Sequence, residues 1–254
     1  MLRLTKYELR KNIMGTVILF GIIIGLEIYF VISALLENRD HTAMATAFLV
    51  IAACVSYFCL FFFGVSSYSK ELRSKTGYLT FMTPISSFSV IGSKLLSIFI
   101  TGVFFVILLS VLACIDMAMF ENVFPETQLF TDFLDGLFNM AGYSPEEFWL
   151  TVLVNVAIIL ISFYAVIALA YMSITLSSTI FQNKKYKGVI SVIIFILLTL
   201  LVSKISEFLP DIYENVTRMG EAMLQIVPQL IYWLAITIGA LFLSGKFLDK
   251  KVSL

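Results

Sequence analysis

An all-α integral membrane protein with six transmembrane helices is the fold class that the sequence predicts. Three observations carry it. Of the 254 residues, 60% are hydrophobic and 13% charged, whereas a soluble domain is about one quarter charged, and the mean hydropathy is +0.98. Six apolar runs are long enough to span a bilayer, which takes about 20 residues because only a helix satisfies its own backbone in hydrocarbon. They fall at 13–36, 43–66, 95–117, 148–181, 188–206 and 223–245. Lysine and arginine, finally, gather in every second link.

The first run follows "MLRLTKYELRKN". It is longer than the apolar core of a cleaved signal peptide and reads as a mature span. Residues 1–12 read as an amphipathic interface helix, with Arg3, Lys6 and Arg10 on one face by their i, i+3, i+7 spacing. A basic helix of this kind suits lipid headgroups. Within the first span, Gly21 and Gly25 form a GxxxG, a notch that lets two helices approach closely.

A longer stretch, 67–94, joins the second and third runs. Apolar Leu72, Leu79 and Phe81 alternate with charges, Pro84 breaks the pattern, and Ser86 or Ser87 restarts it as an N-cap. An acidic segment, 118–147, precedes the fourth run. The outer acids from the third run onward include Asp116 and Glu121, and the link carries no cation. "GYSPEEFW" marks the next start: Ser144 as N-cap, Pro145 at the first helical position and Glu147 closing a capping box. Residues 207–222 form a mixed, Pro-bounded outer or re-entrant segment before the sixth run. The whole chain, 1–254, reads as a single transmembrane domain.

Orientation follows the cations. Arg3, Lys6, Arg10 and Lys11, then Lys70, Arg73, Lys75 and Lys94, then Lys184, Lys185 and Lys187, then Lys246, Lys250 and Lys251 share one side, leaving only Arg39, Lys204 and Arg218 of the 17. Six spans then place both chain ends in the cytoplasm.

Several functions are excluded or disfavoured by composition. A net charge of +0 disfavours a broadly basic nucleic-acid binder. One histidine, His41, in a polar link, and three cysteines (54, 59 and 114) inside apolar runs offer no metal cluster or His-based triad; the cysteines read as small buried hydrophobes. "GALFLSGKF" holds Gly239, Gly245 and Lys246, but its spacing is one residue too long for a phosphate loop and Phe247 stands where Ser or Thr is needed. The chain is therefore read as binding no cofactor of its own.

Glu27 is the anomaly inside a span. An ionisable group at such depth costs several kcal/mol unless paired, hydrated or protonated. Lys204 of the fifth run lies at similar depth by residue count. Three readings stand: a Glu27–Lys204 pair within one subunit or across a dimer, a wet cavity touching substrate, or a protonated Glu27 bonded to a neighbouring helix.

The 67–94 stretch, read in "YSKELRSKTGYLTFMTPISSFSVIGSKLL" from Tyr68 to Leu96, resembles the segment between the second and third spans of bacterial type-2 ABC exporter permeases. The matching residues are Glu71, Arg73, Thr76, Gly77, Thr83, Pro84, Ser86, Ser87, Gly92, Ser93 and Lys94. The resemblance implies a coupling-helix elbow, docking on a separate cytoplasmic ABC ATPase that binds ATP and Mg, and a second permease chain, identical or paralogous, with first and fifth spans near the subunit interface. It implies a multi-pass protein of a bacterial cell membrane. The aromatic-rich lining (24 Phe, 11 Tyr) suits an amphipathic cargo, with exported peptide the first reading and a drug, lipid or lipid-linked glycan the others. Two further classes compete: a non-transporting immunity or anchor protein, and an intramembrane enzyme, for which only Glu27 was evident as an acid in the spans.

Overall fold

The computed structural model describes residues 2–73, 86–124, 145–180, 186–208 and 219–252. Among them are six long helices: α1 Leu2–Leu35, α2 Arg39–Arg73, α3 Ser87–Val123, α4 Pro145–Ile180, α5 Lys187–Ser206 and α6 Met219–Val252. No strand occurs among the described residues. Each helix contains a stretch long and apolar enough to cross a membrane, and each coincides with one of the six runs read from the sequence.

Most of the helices exceed what lipid requires. The 37 residues of α3 make a rod of about 55 Å at 1.5 Å per residue, against a hydrocarbon core of about 30 Å. The excess lies at the ends. Thus α1 is one unbroken helix in which the basic 1–12 segment and the first span are continuous. Pro145 opens α4, as its missing N–H and fixed φ favour; Ser144, proposed as its cap, lies outside the described residues.

Local chemistry sets the α1–α2 turn. Glu37 has φ 52°, in the left-handed region. Its N–H donates to Ala34 O at 2.9 Å, and that of Asn38 to Ser33 O at 3.2 Å. This is the paired closure that ends many helices. Asn38 then caps α2, its Oδ1 accepting from His41 N–H at 3.2 Å. His41, read as part of a polar link, thus belongs to the first turn of α2.

The helices divide into two units. One contains Thr5–Phe63 and Leu96–Gly142. Its core joins Leu19 and Ile23 of α1, Leu60 of α2 and Phe105 of α3. Gly15 is needed for this contact, since a Cβ there would lie 2.8 Å from the Phe63 ring. The other unit contains Met1–Leu4, Gly64–Leu95 and Tyr143–Leu254. Here α4 packs on α5 and α6, with Ala168, Leu169, Val202 and Ala240 at the centre. Small residues let these helices approach, which matters because lipid removes any hydrophobic drive between them.

One expectation about side chains is corrected. Cys54 and Cys114 are exposed on their helices and Cys59 is half-buried. In a bundle that meets lipid, outward faces are as apolar as inward ones, so an apolar run does not reveal which side a cysteine takes.

Candidate functional site

The stretch that resembles a coupling elbow enters from α2 and leaves through α3. Glu71 and Arg73 lie on the last turn of α2; Ser86, Ser87, Gly92, Ser93 and Lys94 lie on the approach to α3 and its first turns. Thr76, Gly77, Thr83 and Pro84 fall outside the described residues. Ser86 is the cap of α3. Its backbone carbonyl accepts from Ser89 N–H at 2.9 Å and its Oγ from the same group at 3.4 Å. Ser87 and Ser93 are buried, and Ser93 Oγ donates to Val90 O at 2.8 Å.

The residues at the two ends of this stretch meet. Lys94 and Glu71 form an ion pair, with side chains 3% and 13% exposed. The resemblance names both residues without joining them. Removing two charges from water is expensive, and a buried pair persists only where each offsets the other. It therefore fixes the last turn of α2 to the first turns of α3.

A second lock lies one turn back along α2. The Tyr68 and Tyr171 rings have centroids 4.4 Å apart. Tyr68 Oη is 2.6 Å from Thr175 Oγ1, and Thr175 Oγ1 donates to Tyr171 O at 2.8 Å. A threonine hydroxyl has one proton. Because it is spent on the Tyr171 carbonyl, Tyr68 is the donor to Thr175. Tyr171 Oη returns a long bond, 3.4 Å, to Gly64 O. Tyr68, Tyr171 and Thr175 are each 0% exposed. Sequence reading missed all three: a tyrosine or threonine in a span is commonplace, and the partners stand 107 residues apart.

Around these locks, Phe88 of α3 stacks on Phe242 of α6 with centroids 5.7 Å apart. A Cβ on Gly245 would come within 2.5 Å of the Phe88 ring. The glycine of the supposed phosphate loop thus serves close helix packing, and the stretch around it is helical throughout. Ser177 Oγ donates to Lys187 O at 2.7 Å, linking α4 to the start of α5. Ser162 and Ser173 bond to their own helix, at 2.9 and 2.8 Å.

The basic face of α1 is present as spaced: Arg3, Lys6 and Arg10 are exposed, while Thr5 and Glu8 are buried. Gly21 and Gly25 are exposed, and no described atom beyond their own helical surroundings lies within 4 Å of where a Cβ would sit.

Glu27 and Lys204 each have another partner within the chain. Lys204 is exposed and its Nζ donates to both carboxylate oxygens of Glu207, at 3.1 and 2.8 Å. Glu27 lies beside Asp116 of α3, carboxyl to carboxyl. Within their own units, then, Glu27 meets Asp116 and Lys204 meets Glu207, neighbours that the sequence reading does not name. Asp116 reads in the sequence with the outer acids, although α3 continues to Val123. Glu27 stands eight residues before the end of α1 and Asp116 seven before the end of α3, so the two share a level. Ionised carboxylates only accept, so a hydrogen bond between the two requires a proton on one of them. Glu27 Oε2 and Asp116 Oδ1 are buried and find no N–H or O–H among the described residues.

A variant pair tests this contact. Asp116→Asn supplies an amide N–H to Glu27 and is expected to hold stability within about 1 kcal/mol. Asp116→Ala leaves buried Glu27 oxygens without a donor and should cost about 1–3 kcal/mol. Thermal unfolding in micelles checks both; equal losses would mean that the contact is immaterial.

Comparison with protein-family models, with curated proteins and with solved structures gives no match.

Proposed function

We propose that the chain is the membrane-spanning permease subunit of an ATP-driven exporter of the type-2 ABC kind. The carrying observation is the 67–94 stretch, whose resemblance to a coupling elbow runs from Glu71 to Lys94, the two residues that form the buried ion pair. A transmission element must be stiff and mounted directly on spanning helices. The pair gives the feet of this elbow that stiffness.

On this reading the elbow and both chain ends are cytoplasmic, and a separate ATPase subunit carrying ATP and Mg docks on the elbow. Two permease chains enclose the path. The open notch at Gly21 and Gly25 and the apolar exterior of α5 are compatible with a helix-on-helix contact between them. The cargo is amphipathic, with peptide first. The exposed Arg3, Lys6 and Arg10 face lies at the headgroups or against the ATPase.

Purification of the chain from native membranes tests the proposal. An ATPase subunit should co-purify and hydrolyse ATP faster when amphipathic peptide is added. Arg73→Glu, which reverses an elbow charge, should weaken retention of that subunit by about tenfold or more, since a like charge placed at an interface costs several kcal/mol. A chain that retains no ATPase, with its elbow cross-linking to lipid alone, overturns the proposal.

The Glu27–Asp116 contact favours a second reading. Paired carboxyls inside a span are the equipment of an acid–base hydrolase. Peptide cleavage independent of ATP and abolished by Glu27→Gln and by Asp116→Asn would establish it in place of export.

A further inference from the structure

We infer that α4 is mechanically joined to the feet of the elbow, with Tyr68 and Thr175 as the positioning residues that make the joint. Any load on the elbow then reaches α4 as well as α3. The inference deepens the proposed function, and rests on it only for the source of the load.

The geometry is specific. Gly64 and Tyr68 are four residues apart on α2; Tyr171 and Thr175 are four apart on α4. Residues at that spacing lie on one helical face, so two facing stripes are bridged over a full turn. The bridge runs both ways: Tyr68 donates from α2 to Thr175, and Tyr171 donates from α4 to the Gly64 carbonyl. The stacked rings fill the space between. All three side chains are shut off from solvent, so a broken bond has no water to replace it. Three residues further along α2, Glu71 holds Lys94 of α3. The end of α2 is therefore gripped from two sides: by α3 through charge, and by α4 through hydroxyl groups.

A rod gripped in this way does not slide past its neighbours by small steps. Either the bonds hold and α2, α3 and α4 move together, or they break and the block separates. Ser177, two residues beyond Thr175, extends the same connection to the first residue of α5. Thr175 lies outside the stretch proposed to dock the ATPase, and Tyr68, at the α2 end of that stretch, turns a fully buried side chain to Thr175. Substitution of Thr175 changes transmission and leaves docking alone.

Hydrogen exchange on the full chain in lipid nanodiscs tests the joint without reference to any partner. The variants are Thr175→Val, Tyr68→Phe and Thr175→Ser. Valine keeps the shape of threonine and removes its hydroxyl; Tyr68→Phe keeps the ring stack and removes the donor; serine keeps the hydroxyl. Local opening that exposes segments 64–72 and 168–177 should become about tenfold more frequent in the first two variants, the change expected for one lost buried hydrogen bond. Thr175→Ser should stay within about twofold of the parent. The joint is overturned if Thr175→Val and Tyr68→Phe leave both segments as protected as the parent, if Thr175→Ser opens as readily as Thr175→Val, or if only one of the two helices responds. In a complex with the ATPase, Thr175→Val should keep assembly and basal hydrolysis while peptide-stimulated hydrolysis falls. A chain that binds no ATPase refutes the exporter reading, and the exchange measurement still decides the joint.

Discussion

Lys94→Met is expected to destabilise the protein by about 3–5 kcal/mol, the loss that follows when one partner of a buried ion pair is removed. Lys94 and Glu71 are both largely shielded from solvent. Without Lys94, the Glu71 carboxylate would lose this ion pair while staying largely shielded from solvent. The Coulomb gain of the intact pair is not the quantity at stake. A buried pair often does no better than apolar side chains of similar size, and replacing both partners is often neutral. The double variant Lys94→Met with Glu71→Leu should therefore recover most of what Lys94→Met loses. Thermal unfolding in micelles on the four members of this cycle checks it. Additive losses would show that the residues do not interact. The same cycle separates a structural clamp from a docking surface: the double variant regains stability, but loses two residues of the stretch proposed to meet the ATPase, and retention of that subunit should fall.

The division between what sequence reveals and what it hides follows from the solvent. All six spans were legible because hydrocarbon demands long uninterrupted apolar helices. Local signals were legible too: Pro145 opens α4, and Ser86 caps α3 through its backbone and hydroxyl oxygens. Which face of each helix turns inward was not. A soluble helix advertises its buried side by polar residues on the other, whereas these helices are apolar all round. That is why Cys54 and Cys114 were placed inside and are found outside. Contacts between distant helices were hidden for the same reason. Glu71 and Lys94 were both singled out, yet nothing in one sequence joined them across the elbow. Glu27 stands out in the sequence as an oddity, but nothing there points to Asp116 of α3 as its neighbour. Tyr68 and Thr175 gave no signal at all, since a hydroxyl in a span satisfies itself on its own helix as readily as on a neighbour.

Phe105→Ala is expected to cost about 3–5 kcal/mol, the usual range for truncating a fully buried phenylalanine. Its ring is 0% exposed and packs among Leu19, Ile23 and Leu60, where α1, α2 and α3 meet. Lipid chains are as apolar as leucine, so transfer out of water contributes little to holding these helices together; packing contacts do that instead. Deleting the ring removes those contacts and leaves a void that the surrounding rods fill only in part. Phe104, the next residue, supplies the control. It is 49% exposed and stands outward, where lipid can take the place of its ring, although it touches Phe105 edge-on and keeps a distant contact with Phe20. Phe104→Ala should cost about 1 kcal/mol or less. Unfolding of both variants in the same micelles compares one residue type at adjacent positions; the edge-on contact between the two rings is lost in both, so the difference reports their environments. Equal losses would mean that this unit is held by apolar transfer rather than by shape, and that Phe105 has no special place in it.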